Sequence, residues 1–137
     1  MVDTHADPGQ ILAQRRPLSP HLQVYRFTLT MAMSIMHRIT GAALYAGTLL
    51  LVWFLLALIA GPGAFSVVSA VYGSIIGQIV LFFFTYAFCQ HMMGGIRHFV
   101  WDMGYFMDPP EREYLALAGA IAAPVLTILI WIIRFVV

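Results

Sequence analysis

Three apolar stretches, each too long for the core of a small soluble domain, decide what this chain can become. A hydrocarbon layer about 30 Å thick needs roughly 20 helical residues to cross it. The first stretch runs from about Thr28 to Ala60 and ends sharply at Gly61-Pro62-Gly63, a strong helix-breaking run. The second starts near Ser66, becomes strongly apolar from Ile75 and ends around Trp101. A polar segment, 102–113, turns at Pro109-Pro110, and the third stretch runs from about Tyr114 to Val137. A kink is expected near Pro124, and Arg134 is placed to reach the interface on its apolar stem. The expected architecture is therefore all-α: a 1–27 arm, then one transmembrane domain, 28–137, with helices over approximately 28–60, 66–101 and 114–137.

The composition agrees and closes off other classes. Hydrophobic residues make up 61% of the 137 and charged residues 9%, and the mean hydropathy is +0.87, which is membrane rather than soluble composition. The net charge of +1, with seven arginines and no lysine, offers no basic run for nucleic acid. Cys89 is the single cysteine, so neither an internal disulfide nor the cysteine set of an iron–sulfur cluster can form. No Walker loop, G-x-G-x-x-G, zinc-ligand spacing or Ser-His-Asp order is present.

Against that apolar background the polar residues stand out. Ser34, His37, Arg38 and Gly41 sit at i, i+3, i+4 and i+7, one stripe of a helix. His91, Gly94, Gly95 and His98 repeat the pattern on the second span. Ionisable groups inside a membrane are costly and turn toward protein or a wet cavity, so each stripe is either a site or interhelical polar glue. His91 is either a metal or haem ligand through one ring nitrogen or a histidine that bonds a neighbouring helix. Gly94 and Gly95 clear space either for a flat macrocycle or for a close helix. Arg38 and His37 are suited to a buried anion such as a haem propionate, the alternative being an arginine that snorkels to the headgroups. Ser34 either donates to a small carbonyl such as that of a quinone or bonds back to its own helix.

Arg15, Arg16 and Arg26 precede the first span, Arg97 and Arg112 flank the second loop, and the first loop is uncharged. The positive-inside rule then puts the N-terminus and second loop in the cytoplasm and the C-terminus outside. Arg38 and His91 both come out roughly 12–15 Å below that surface, so the stripes share the inner half of the bilayer. Residues 1–27 hold no apolar run of a cleavable signal, and Asp3 and Asp7 are unlike a mitochondrial transit peptide, which favours a bacterial inner membrane. The remaining features read as structural: Gly73 and Gly77 as a packing pair, Trp53, Trp101, Tyr105 and Trp131 as packing or interface anchors, and His98 with Asp102 as a surface pair. Cys89 reads as a small apolar packer, and His5 and His21 have no evident partner.

Three sequence elements resemble a known family. Arg16-Pro17-Leu18-Ser19-Pro20-His21-Leu22-Gln23-Val24-Tyr25-Arg26 reads like the N-terminal motif of the cytochrome b anchors of succinate dehydrogenase. Ser34-Ile35-Met36-His37-Arg38-Ile39-Thr40-Gly41 resembles that family's S-I-x-H-R-x-[ST]-G, and His91 to His98 followed by Trp101-Asp102-Met103-Gly104 is similar to its H-x-x-x-G-I-R-H…W-D-x-G. The resemblance spans nearly the whole chain and implies the larger of two membrane anchors of respiratory complex II. It implies His91 as axial ligand of haem b (the metal being the haem iron), with the opposite ligand on the smaller anchor. It also implies Ser34 and Arg38 at a ubiquinone site and His37 and Arg38 near the propionates. FAD and iron–sulfur clusters would belong to a flavoprotein and an iron–sulfur subunit docked on the cytoplasmic face, so the chain alone would not oxidise succinate. The Cys89-Gln90 pair before His91 is unusual for the family. The alternatives are the anchor of a quinol–fumarate reductase, a haem-free structural anchor and, last, a transporter or channel subunit, which the apolar outer half of the spans disfavours. In each case two polar faces on three helices call for a partner span to cover them.

Overall fold

The computed structural model describes residues 26–137. Four helices follow one another: α1 over Leu29–Ala60, α2 over Pro62–Gly73, α3 over Ile75–Asp102 and α4 over Glu111–Val136. Of these, α1, α3 and α4 are long and apolar enough to cross a membrane, and the chain is an all-α membrane protein with three such spans. The arm expected over 1–27, with its Arg16-to-Arg26 motif, His5 and His21, lies outside the described residues apart from Arg26 and Phe27.

Local chemistry sets the ends. The Thr28 hydroxyl accepts the Met31 N–H at 3.3 Å and caps α1. At the far end Gly61 adopts φ 103°, a conformation that suits glycine, and Pro62 opens α2 where its missing N–H costs nothing. The single helix expected over 66–101 is in fact two. Ser74 is extended (ψ 158°); its hydroxyl donates to the Val71 carbonyl at 2.6 Å and accepts the Gly77 N–H at 3.1 Å, closing one helix and capping the next. Gly77 has no room for a Cβ, which would stand 2.9 Å from the Tyr72 Cα, so the chain folds tightly there. Twelve residues of α2 reach only about 18 Å, too short to span. Instead α2 turns back along the end of α1: the Tyr72 hydroxyl donates to the Leu50 carbonyl at 2.6 Å, and Phe54 packs against Phe65 and Tyr72. Of the expected Gly73–Gly77 packing pair, Gly77 packs and Gly73 faces open space.

The three spans run up, down and up. Antiparallel α1 and α3 meet where His37 lies on Gly94, His91 on Gly41 and Phe84 on Gly47. Antiparallel α3 and α4 meet at Met93 with Gly119 and at Trp131, whose Nε1 donates to the Thr85 hydroxyl at 3.3 Å. Parallel α1 and α4 start side by side, where the Thr30 hydroxyl donates to the Glu113 carboxylate at 3.4 Å. Helix α4 runs on unbroken through Pro124. Arg134 lies over Trp131 and Phe135 and donates to the Gln78 amide oxygen. Little more than a tenth of the most apolar stretch of α1, and about a fifth of those of α3 and α4, is buried within the chain. Most of each span therefore faces lipid or another protein.

Candidate functional site

The two polar stripes meet near the shared end of α1 and α3. The rings of His37 and His91 stack face to face, 4.0 Å apart and 8° from parallel. That approach depends on two glycines. A Cβ on Gly94 would press into the His37 ring, and one on Gly41 would stand 3.0 Å from His91 Cε1. His98 lies 5.3 Å from His37 and 5.5 Å from Trp101, so it turns to those rings rather than to Asp102, the partner expected from its i, i+4 spacing.

Hydrogen bonds fix the chemistry of His91. Its Nδ1 lies 3.1 Å from the His37 carbonyl and 3.4 Å from the Thr40 hydroxyl. A carbonyl only accepts, so Nδ1 carries the proton and Nε2 keeps its lone pair. The Thr40 hydroxyl is itself anchored by donating to the Met36 and His37 carbonyls at 2.9 and 3.1 Å, which leaves its oxygen free to accept from Nδ1–H. Among the described residues no hydrogen bond reaches Nε2. The stacked His37 ring covers one face of His91, whereas a metal binds in the ring plane, so the stack does not obstruct Nε2. A histidine whose second nitrogen is held by a backbone carbonyl is the usual arrangement for a metal-ligating imidazole. Among the described residues no three His, Cys, Asp or Glu side chains converge into a chelating set.

The other members of the stripes divide. His37 is half-buried, and its Nε2 is buried with no partner among the described residues. Arg38 is exposed on the outside of the chain, and Ser34 is half-buried beside it. Thr40, Thr48, Thr85 and Thr127 all donate back to carbonyls of their own helices. Ser34 makes no such bond among the described residues. Gly94 is filled by His37, but a Cβ on Gly95, on the same turn, would meet nothing within 4 Å from the other helices among the described residues. The first glycine thus serves helix packing, and the second leaves a gap on the outer side.

The residues match a family along most of the chain. Residues 13–131 match a family described as the Succinate dehydrogenase/Fumarate reductase transmembrane subunit. This chain belongs to that family. Among relatives of this transmembrane subunit, the succinate dehydrogenase cytochrome b556 subunit of Paracoccus denitrificans is 40% identical over 121 residues, covering 86% of this chain and 93% of the relative. The subunit of the same description from Rickettsia prowazekii (strain Madrid E) is 32% identical over 123 residues, covering 90% and 96%. The mitochondrial succinate dehydrogenase cytochrome b560 subunit of Sus scrofa is 40% identical over 105 residues, covering 73% of this chain and 60% of its own length.

Two polar residues of α3 that the sequence does not single out for the site are buried. Gln90 and Arg97 are 1% and 3% exposed, so they face inward, where Arg97 had been counted only as a loop-flanking charge. The signal was present: Gln90, Gly94, Arg97 and Trp101 fall at i, i+4, i+7 and i+11, a stripe beside that of His91 and His98.

Proposed function

We propose that this chain is the larger, haem b-binding membrane anchor of a succinate:quinone oxidoreductase and that it helps form the ubiquinone-reduction site. The observation that carries the reading is the state of His91: Nδ1–H spent on the His37 carbonyl, Nε2 left as an in-plane lone pair. His91 would hold the haem iron, a smaller anchor subunit would give the opposite ligand, and His37 and Arg38 would face the propionates. When bound, the haem would supply a one-electron redox centre, while electrons from the iron–sulfur subunit would reach the quinone near Ser34. The flavoprotein subunit, which bears FAD, would oxidise succinate.

The chain's own residues handle the acceptor. Ser34 sits one turn from Arg38, near the start of α1, and its uncommitted hydroxyl can donate to a quinone carbonyl. Arg38 places a permanent positive charge where negative charge grows on the quinone oxygen during reduction, and fixed charge acts strongly in a low-dielectric site. Ser34 lies within two turns of the start of α1, where water can deliver the two protons that the quinol needs. The topology that goes with this reading is a bacterial inner-membrane protein with its N-terminus in the cytoplasm and its C-terminus in the periplasm.

The test is a dithionite-reduced minus oxidised spectrum of the complex purified in mild detergent. A b-type band present in the wild type and lost in His91→Ala is the expected result; a band that survives His91→Ala refutes the ligand assignment. The family description also covers fumarate reductases, and identifying the co-purified quinone separates a ubiquinone-linked enzyme from a menaquinol-linked one.

A further inference from the structure

Arg97 is held in a place where its charge has no counterpart. Its side chain is 3% exposed, and Nε and Nη1 are buried with no hydrogen-bond partner among the described residues. Its guanidinium lies 5.0 Å over the Trp101 ring. Stacking of that kind satisfies the flat face of a guanidinium, not the N–H groups that point outward in its plane. Leaving such a cation unpaired in a low-dielectric interior costs several kcal/mol, so proteins pair it. Its neighbours do not supply the anion. His37, which packs on Gly94 one turn before Arg97, has a buried Nε2 with no partner among the described residues, and His98 lies tilted to His37 and edge-on to Trp101. Among the described residues no acid pairs with it: Asp102, Asp108 and Glu111 are exposed, and Glu113 accepts from Thr30.

We infer that Arg97 pairs beside His37 with a carboxylate that the described residues do not supply, and that this anion completes the charge balance of the site. Two sources present that chemistry there: a propionate of the haem placed by the His91 reading, on which this inference rests, and an acidic side chain of a partner anchor. Arg97 is then an anion-pairing residue on α3 distinct from Arg38, which sits exposed on α1.

Arg97→Gln, Arg97→Met and Arg97→Lys, made in the intact complex, test this through haem per complex, subunit stoichiometry and the haem midpoint potential. If the carboxylate is a propionate, the Gln and Met complexes keep both anchors and lose haem or hold it at a lower potential. Removing a nearby positive charge disfavours the reduced haem, here by about tenfold, or about 59 mV for a one-electron couple. Arg97→Lys recovers most of the shift. If the carboxylate belongs to a partner anchor, Gln and Met release that subunit during purification and Lys retains it. Unchanged potential, haem content and stoichiometry in Gln and Met overturn the inference. If neither accumulates, Lys decides: a near-normal complex supports pairing, and failure as complete as that of Met overturns it, because shape against Trp101 would then be what matters. His91→Ala run in parallel keeps the two ideas apart. A haem band that survives it removes the ligand reading, whereas a band lost there with no response at Arg97 removes only the role given to Arg97.

Discussion

Gly94→Ala tests whether the His37–His91 stack governs the site. The added methyl would meet three atoms of the His37 ring, with Cγ at 3.0 Å, Nε2 at 3.1 Å and Cδ2 nearer still. Ordinary carbon contact lies near 3.5–4.0 Å, so the ring must retreat by about 1 Å. It cannot slide toward His91, whose ring already lies parallel at 4.0 Å. The strain therefore separates α1 from α3 and stretches the 3.1 Å contact between His91 Nδ1 and the His37 carbonyl beyond hydrogen-bond range. Overpacking of this sort costs about 1–3 kcal/mol. A pinned ring puts the cost near the top of that range, and the better helix propensity of alanine returns about 1 kcal/mol. The expected net loss is about 2 kcal/mol, roughly thirtyfold in an equilibrium. Since the clash is with His37 alone, His37→Ala should relieve it. In a double-mutant cycle the propensity gain is common to both backgrounds and cancels, so the pair should couple by the clash itself, about 3 kcal/mol. SDS titration of the four complexes in mixed micelles, followed by tryptophan fluorescence and haem absorbance, gives the transition midpoints. Additive effects, within about 0.5 kcal/mol, would refute the packing argument.

Two further outcomes are expected. Ser34→Ala and Arg38→Leu should cut electron transfer from succinate to quinone while haem content and subunit stoichiometry stay at wild-type values; unchanged turnover with ubiquinone in both would remove these residues from the acceptor site. Gly95→Leu fills a gap that this chain leaves open, so it should reduce haem or partner retention while the helical circular dichroism of the complex is unaltered, and normal retention would mean that nothing docks there.

Much of this was legible in the sequence because hydropathy is a strong signal over 20 residues. The three spans, and the meeting of the Ser34–Gly41 and His91–His98 segments near one end, follow from length, antiparallel connection and helical period alone. The split at Ser74 was hidden because the residues on either side, Val71-Tyr72-Gly73 and Ile75-Ile76-Gly77, are as apolar as the spans themselves. Only the two hydroxyl bonds of Ser74 and the bare Cα of Gly77 reveal the turn. Arg97 was misread for a related reason: near a loop an arginine counts toward topology, and only packing shows that this one turns inward onto Trp101. Likewise Gly94 and Gly95 are equivalent in sequence, and three dimensions assign one to His37 and the other to the exterior.

Trp53, Phe54, Phe65 and Tyr72 interlock where α2 folds onto α1, at the end of the bundle away from His37 and His91. Beyond Arg38 on α1, before His91 on α3 and after Glu113 on α4, the described residues include no Asp, Glu, His or Lys. Among the described residues, then, no relay of carboxylates or imidazoles leads from the polar end to the aromatic one. If the quinone of the proposed function binds at the polar end, this chain offers its protons a route only from the aqueous phase on that same side.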